Sequence, residues 1–188
     1  MSRIFKAIDD DISMHVFLLI REFGSSSDWR QRYAAAMSLL QMVEYDDDES
    51  HIDQVVKLVL PMLKDFHARI RYAAVHVVGQ ASAEHAPRIQ EKYHEALLPA
   101  LMGVLQDSDP RVGSHACAAF VNFAEDLELE VLLPQVATLM EPICRLMASS
   151  SPLSREHAVS AVAVMAGVVG EDFVAFYTQV MPLLDQIV

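Results

Sequence analysis

Residues 71–80, RYAAVHVVGQ, repeat a motif from residues 32–41, RYAAAMSLLQ: in both places Arg-Tyr-Ala-Ala leads into an apolar stretch that ends in Gln. The two copies are offset by 39 residues. Working outward, 28–43 (DWRQRYAAAMSLLQMV), 66–81 (FHARIRYAAVHVVGQA), 109–124 (DPRVGSHACAAFVNFA) and 152–166 (PLSREHAVSAVAVMA) align on Ala35, Ala74, Ala116 and Ala158, at offsets of 39, 42 and 42. Each block follows a loop-like stretch, carries small residues early and continues with apolar residues at helical spacing, such as Ala74, Val77, Val78 and Ala81. The pattern predicts helices that pack closely through their alanines.

A second helix type lies between these blocks: HIDQVVKLVLPMLKD, IQEKYHEALLPALMGVLQD, LLPQVATLMEPICRLM and FVAFYTQVMPLLDQIV. All four hold a proline inside the apolar pattern, Pro61, Pro99, Pro142 and Pro182, at spacings of 38, 43 and 40 residues. An interior proline removes a backbone hydrogen bond and bends its helix, so four at one period predict a kinked outer helix that belongs to the repeat. Helix pairs recurring about every 40 residues are the signature of a HEAT-type solenoid, whose units bury their apolar faces only against their neighbours. The expected fold is therefore all-α, a right-handed superhelical solenoid of HEAT-type pairs with about 4.5 repeats. Its repeats are expected near 12–43, 51–85, 86–126 and 127–170, with a first helix alone over 171–188. No polar capping repeat is visible, so the chain reads as a piece of a longer solenoid. Its last helix is expected to expose an apolar face around Val180, Leu183, Leu184 and Ile187.

Composition agrees and excludes several classes. The chain is 53% hydrophobic with only 6 glycines, which predicts a folded core rather than disorder. The nearly uncharged run Ala158–Gly170 is shorter than the roughly 20 residues of a membrane span, and the apolar segment ISMHVFLLI follows three aspartates instead of a basic region. A soluble intracellular protein without membrane contact is expected. Cys117 and Cys144 form no CxxC pair and are expected to be core thiols. His115 and His157 occupy the position of Ala73 on the packing face, where semi-buried histidines are expected rather than metal ligands. A formal charge of −12 argues against nucleic acid as a partner and suits basic ones. No HExxH, GxSxG or phosphate-binding glycine loop appears, so neither an enzyme nor a metal or cofactor is expected.

The alanine-rich helices also carry polar residues in their C-terminal halves. Gln41 is followed by Glu44, Gln80 by Glu84, and Asn122 by Glu125 and Asp126, at spacings that place each set on one side of its helix. Stacked at roughly 8–10 Å, such helices form a ladder of amides edged by carboxylates. An extended peptide advances about 3.3–3.6 Å per residue, so lysines every two or three residues can meet successive rungs. In the fourth unit the equivalent position is Val164, and the ladder stops. The plain alternative is a set of solvated residues at helix ends. The run EYDDDES, residues 44–50, reads as a solvated acidic loop.

The segments RIRYAAVHVVGQASAEHAP and PRVGSHACAAFVNFAED, with EKYHEALLPALMGVLQD between them, resemble the middle HEAT repeats of the importin-beta (karyopherin-beta) superfamily, in particular its importin beta-3 branch. SDWRQRYAAAMSLL and FYTQVMPLLDQIV are similar to neighbouring repeats, so the resemblance covers about residues 24–188 and is strongest over 66–126. It implies a nuclear transport receptor of cytoplasm, nucleus and nuclear pore. Such receptors hold basic cargo proteins on a concave face. Through the full-length protein they meet Ran-GTP, which unloads them, and phenylalanine-glycine nucleoporins on the convex side. It further implies that acidic residues and an asparagine on inner helices hold lysine-rich signals, and the matching positions are Glu44, Glu84 and Asn122. Gln41, Gln80 and Asp126 complete the expected cargo-binding set. One departure stands out: the family favours glycine or aspartate-phenylalanine near the acidic positions, and this chain has Glu44-Tyr45 and Glu84-His85. A HEAT scaffold resembling a phosphatase regulatory subunit is the alternative, and a HEAT-like DNA glycosylase, which needs a basic groove, is disfavoured by the charge.

Overall fold

The computed structural model describes residues 10–45 and 51–187. Of the acidic run 44–50, everything after Tyr45 lies outside the described residues. The described residues form helices and turns with no strand. In chain order the α-helices are α1 (Asp10–Gly24), α2 (Trp29–Tyr45), α3 (Ile52–Met62), α4 (Ala68–Glu84), α5 (Arg88–Leu105), α6 (Pro110–Ala124), α7 (Leu129–Leu132), α8 (Val136–Met147), α9 (Pro152–Val169) and α10 (Tyr177–Leu184). Short 3-10 segments, Leu133–Gln135 and Gly170–Phe176, join α7 to α8 and α9 to α10.

The helices pack in two layers. In one layer, here called B, α2 packs on α4, α4 on α6 and α6 on α9; in the other, A, α1, α3, α5, α8 and α10 follow one another. The B helices are the alanine-rich blocks of the sequence, and the A helices hold Pro61, Pro99, Pro142 and Pro182 in their interiors. Small residues let the B helices approach. At Gly79 on α4, an added Cβ would lie 3.2 Å from both the Cα and Cβ of Ala119 on α6, so any side chain there would push the two helices apart by a few tenths of an ångström. Between the layers, Val59, Leu101, Leu139 and Ile143 of layer A meet Ala74, Val78, Phe120 and Phe123 of layer B in one continuous buried core. Burying a side chain of this size contributes about 1.5–3 kcal/mol, and truncating one such as Phe120 to alanine costs about 3–5 kcal/mol.

Each B helix starts with the same device. The residue before it caps a backbone N–H of the first turn: Asp28 for Arg30 N (2.9 Å), His67 for Arg69 N (3.2 Å), Asp109 for Arg111 N (3.0 Å) and Ser151 for Ser154 N (3.3 Å). Two residues earlier, a second side chain accepts from the cap's own N–H: Ser26, Asp65, Asp107 and Ser149 in turn. The caps satisfy donors that a helix end leaves free and stop the preceding turn.

The repeated Arg-Tyr-Ala-Ala is explained here. Arg32 donates to Asp65 (2.6 and 3.0 Å) and to the carbonyls of Ser26 and Ser27; Arg71 donates to Asp107 (2.5 and 2.7 Å) and to the carbonyls of Asp65 and Phe66. Each arginine thus clamps its own A-to-B turn to that of the next repeat. Burial alone would raise the Asp65 and Asp107 carboxyls, but the guanidinium and backbone donors outweigh it and hold both below the usual carboxylate range. The third joint lacks the clamp. Gly113 stands in the arginine's place and Ser149 in the aspartate's, and His157 instead bonds to Ser114 through its Nδ1 (3.0 Å to the carbonyl).

Two expectations change. The final helix does not expose its apolar face: Val180 is buried, and Leu183, Leu184 and Ile187 pack partly buried on the core, because α10 lies against α8. The run Pro152–Leu184 is long and apolar enough, by length and composition, to cross a membrane, which Ala158–Gly170 alone is not. It is not one straight helix, however. Gly170 takes φ 57°, ψ −128° and ends α9, whose apolar side chains pack on α6 and α8.

Candidate functional site

On each B helix one stripe stays open. In α4 it consists of Arg69, Tyr72, His76, Gln80 and Glu84, three or four residues apart, while Ile70, Ala73, Ala74, Val77, Val78 and Ala81 are buried. The matching stripes run from Arg30 to Glu44 on α2 and from Arg111 to Asp126 at α6. These neighbouring stripes form one surface, and the candidate site is its C-terminal part, from Gln41 to Glu44, Gln80 to Glu84 and Asn122 to Asp126.

At its C-terminal edge the predicted residues come together helix by helix. Gln41 Nε2 donates to Glu44 (3.0 Å) and Gln80 Nε2 to Glu84 (2.8 Å). Both amides are half-buried and both carboxylates exposed, so the amide fixes the carboxylate's direction and leaves its remaining lone pairs for an incoming cation. Asp126 is exposed just past the end of α6, beside exposed Glu125.

Asn122 differs from the sequence expectation. Its neighbours Val121 and Phe123 lie inward as expected, but its own amide is half-buried and donates to the carbonyl of Gly79 on α4 (3.1 Å). Asn122 is therefore a tie between B helices, with one of its two N–H donors occupied, and its removal costs about 0.5–1.5 kcal/mol of stability rather than nothing. The Asn122 carbonyl lies 3.5 Å from Gln90 Nε2, which also donates to the carbonyl of Ser82; Gln90 is buried on α5 and anchors the ladder's end from layer A.

Apart from the caps Asp28 and Asp109, which suit their helix starts, charge on this surface runs against the helix dipole. None of α2, α4, α6 and α9 has an acidic residue in its first turn or a basic one in its last. Instead α2, α4 and α6 place arginines in the first turn, and α2 and α4 end in glutamate. The macrodipole favours the reverse arrangement by about 0.3–1 kcal/mol per charge.

The histidines sit where the stripes meet. His115 stacks on Tyr72 (centroids 4.4 Å apart, 15° between planes) and meets His76 edge-on at 5.0 Å. Burial chiefly, then repulsion from His76 and His157, pushes its pKa down to about 4, so it is neutral at physiological pH. Cys117 and Cys144 are free thiols, the first buried and the second half-buried.

The cap and clamp residues escaped the sequence reading, although the triplets SSD, DFH, DSD and SSS before the B helices are periodic. Serine, aspartate and, at His67, histidine exchange at the bonding positions, so no single residue marks them in all four.

A HEAT-like repeat family model matches residues 68–123, which span α4, α5 and α6. The chain is 33% identical to importin subunit beta-3 of Saccharomyces cerevisiae over 172 residues, covering 90% of this chain and 16% of that protein. It is 24% identical to the probable importin subunit beta-4 of Schizosaccharomyces pombe over 167 residues. In solved structures, Kap121p bound to Nup53p superposes with a TM-score of 0.84 at 32% identity, over 93% of this chain and 17% of that one. Kap121p bound to Pho4p gives the same values. The chain spans about one sixth of the length of these relatives. Helix order, paired layers and residue identity over nine tenths of the chain lead to one conclusion: the chain belongs to the importin-beta superfamily, as a run of HEAT repeats akin to those of the importin beta-3 branch.

Proposed function

We propose that this chain is the cargo-reading section of a nuclear transport receptor and that it holds a lysine-rich, extended peptide along the open, concave face of layer B. The observation that carries this reading is the row Glu44, Glu84 and Asp126, one carboxylate at the end of each successive B helix, the first two oriented by a glutamine and all placed where the helix dipole disfavours them. Lysine ammonium groups meet the carboxylates in charge-assisted bonds, and the amides of Gln41, Gln80 and Asn122 lie where the peptide backbone passes. Asn122 contributes its oxygen and its second N–H, since only one N–H is engaged with Gly79. Relatives support the reading: Kap121p has been solved bound to Pho4p, to Ste12p and to the extreme C-terminus of the phosphatase Cdc14p, and also as a variant with three acidic residues changed to lysine. Ran-GTP, phenylalanine-glycine nucleoporins and passage between cytoplasm and nucleus belong to the whole receptor in this reading.

The test is calorimetric titration of a lysine-rich peptide into the wild type and into Glu44→Lys/Glu84→Lys/Asp126→Lys, with thermal melts as a folding control. Binding should be abolished in a folded triple variant, and in the wild type it should weaken steeply between low and physiological salt, where the Debye length is about 8 Å. Equal affinity in both proteins would refute the reading and leave a scaffold that does not read basic signals.

A further inference from the structure

The other edge of the same surface has the opposite sign. Arg30, Arg69 and Arg111 are each the second residue of α2, α4 and α6, and all three are exposed. Arg30 and Arg69 flank the Trp29 ring, with guanidinium carbons 5.0 and 5.7 Å from its centroid. Arg69 has no carboxylate partner among the described residues, and Arg111 pairs only with Asp109, its own helix cap, with 80% of its side chain exposed. Between Arg69, Arg111 and the turn Ser149–Ser150–Ser151 lies an open cavity of about 620 Å³ that Tyr72 and His115 also line. His115 is neutral and Tyr72 uncharged, so the charged groups lining the cavity are the two guanidiniums and the Asp109 carboxylate that pairs with Arg111, beside serine donors, in a chain whose net charge is −12.

We propose that this cavity receives an anionic side chain, a phosphorylated serine or threonine above all, from the same extended peptide whose lysines meet the carboxylate row; the inference rests on the reading above. A phosphate presents three acceptor oxygens and nearly two negative charges at neutral pH, which suits a cavity lined by two guanidiniums better than one carboxylate does. The register follows from the helices. Arg69 and Glu84 are 15 residues apart on α4, which corresponds to about 22 Å at about 1.5 Å per residue. An extended peptide needs about seven residues to cover that distance. The position of the phosphate therefore decides its effect. About seven residues from the lysines it lands among the arginines and strengthens binding; next to them it lands on Glu44, Glu84 and Asp126 and weakens it.

The test uses fluorescence anisotropy with four peptides: lysine-rich, the same with phosphoserine seven residues from the lysines, the same with phosphoserine adjacent to them, and a lysine-free phosphopeptide. The distant phosphate should tighten binding on the order of ten-fold, the adjacent one should loosen it, and the lysine-free phosphopeptide should bind weakly and measurably. Arg69→Gln/Arg111→Gln should abolish the gain and the lysine-free binding while leaving the unphosphorylated lysine peptide unchanged; the single Arg69→Gln, at an exposed side chain, serves if the double variant melts early. Intact lysine-peptide binding with no gain from the distant phosphate overturns the anion site and spares the cargo reading. Failure of the lysine peptide overturns the cargo reading instead. The lysine-free phosphopeptide then decides the cavity alone: arginine-dependent binding supports it and absence of binding refutes it.

Discussion

Replacing Arg71 by alanine removes the donors that join the second repeat to the third. Arg71 and Asp107 are largely buried, with side chains 15% and 6% exposed, and the arginine supplies two bonds to the carboxylate and two to the carbonyls of Asp65 and Phe66. The substitution leaves the Asp107 carboxylate with the N–H of Asp109 as its recorded donor. Truncating one partner of a buried pair costs about 3–5 kcal/mol. The clamp lies at the rim of the core, which favours the lower end. About 3 kcal/mol corresponds to a melting temperature lower by about 6–12 °C in a chain of this size. Because the clamp joins repeats, the urea transition should also broaden as the two sides uncouple. Circular dichroism melts with hydrogen exchange at α4 and α6 measure both effects. The Asp107 carboxyl sits below its ordinary 3.8 when folded, so the stabilisation is full above that value and disappears as pH falls through the folded pKa. Wild type and variant should converge in acid. A loss under about 1 kcal/mol at neutral pH would put the pair among ordinary surface salt bridges and refute the clamp.

Gly79→Ala places a methyl group 3.2 Å from the Cα and Cβ of Ala119, closer than ordinary contact, so it should destabilise by about 1–3 kcal/mol; an unchanged urea midpoint would show that α4 and α6 have room to spare. His115 takes a proton near pH 6.5 when unfolded but only at about 4 when folded, so wild-type stability should decline as pH falls from 6.5 towards 4. His115→Phe, which keeps a ring against Tyr72, should flatten that decline by about 1 kcal/mol at pH 5, after discounting for partial exposure; a parallel pH profile would refute the assignment. Burial pushes the Cys117 thiol up to about 12, so a thiol reagent should label Cys144 first and Cys117 only on unfolding, as peptide mass mapping would show.

The repeats were legible because alanine at one packing position and apolar residues at helical spacing are what a close helix interface demands, and Ala35, Ala74, Ala116 and Ala158 supply them in register. The glutamine-to-glutamate spacing on α2 and α4 was legible for a similar reason, since residues one turn apart must share a face. Asn122 was misjudged because its role depends on a partner 43 residues away: its amide is engaged by the backbone carbonyl of Gly79 on the neighbouring helix, and no pattern within one helix reports that. The last helix was misjudged because α10 turns back onto α8 after the left-handed Gly170, and no periodicity reports the angle of a turn. The basic edge was overlooked because its arginines recur as single residues beside Arg32 and Arg71, which serve a different purpose two residues on, on another side of the helix.

The unequal joints make the molecule mechanically uneven. Two guanidinium clamps brace the seams from α2 to α4 and from α4 to α6, whereas at the seam from α6 to α9 the side-chain bonds among the described residues join His157 to Ser114 and Cys117 to His157, with no arginine–aspartate pair. Bidentate arginine–carboxylate pairs are the stronger kind of tie. A bending load is therefore expected to strain the polar ties of the third seam first. The proposed peptide track spans that division: Glu44, Glu84 and Asp126 lie on or beside the clamped helices, whereas the serine turn that lines the arginine cavity leads into α9, beyond the unclamped seam.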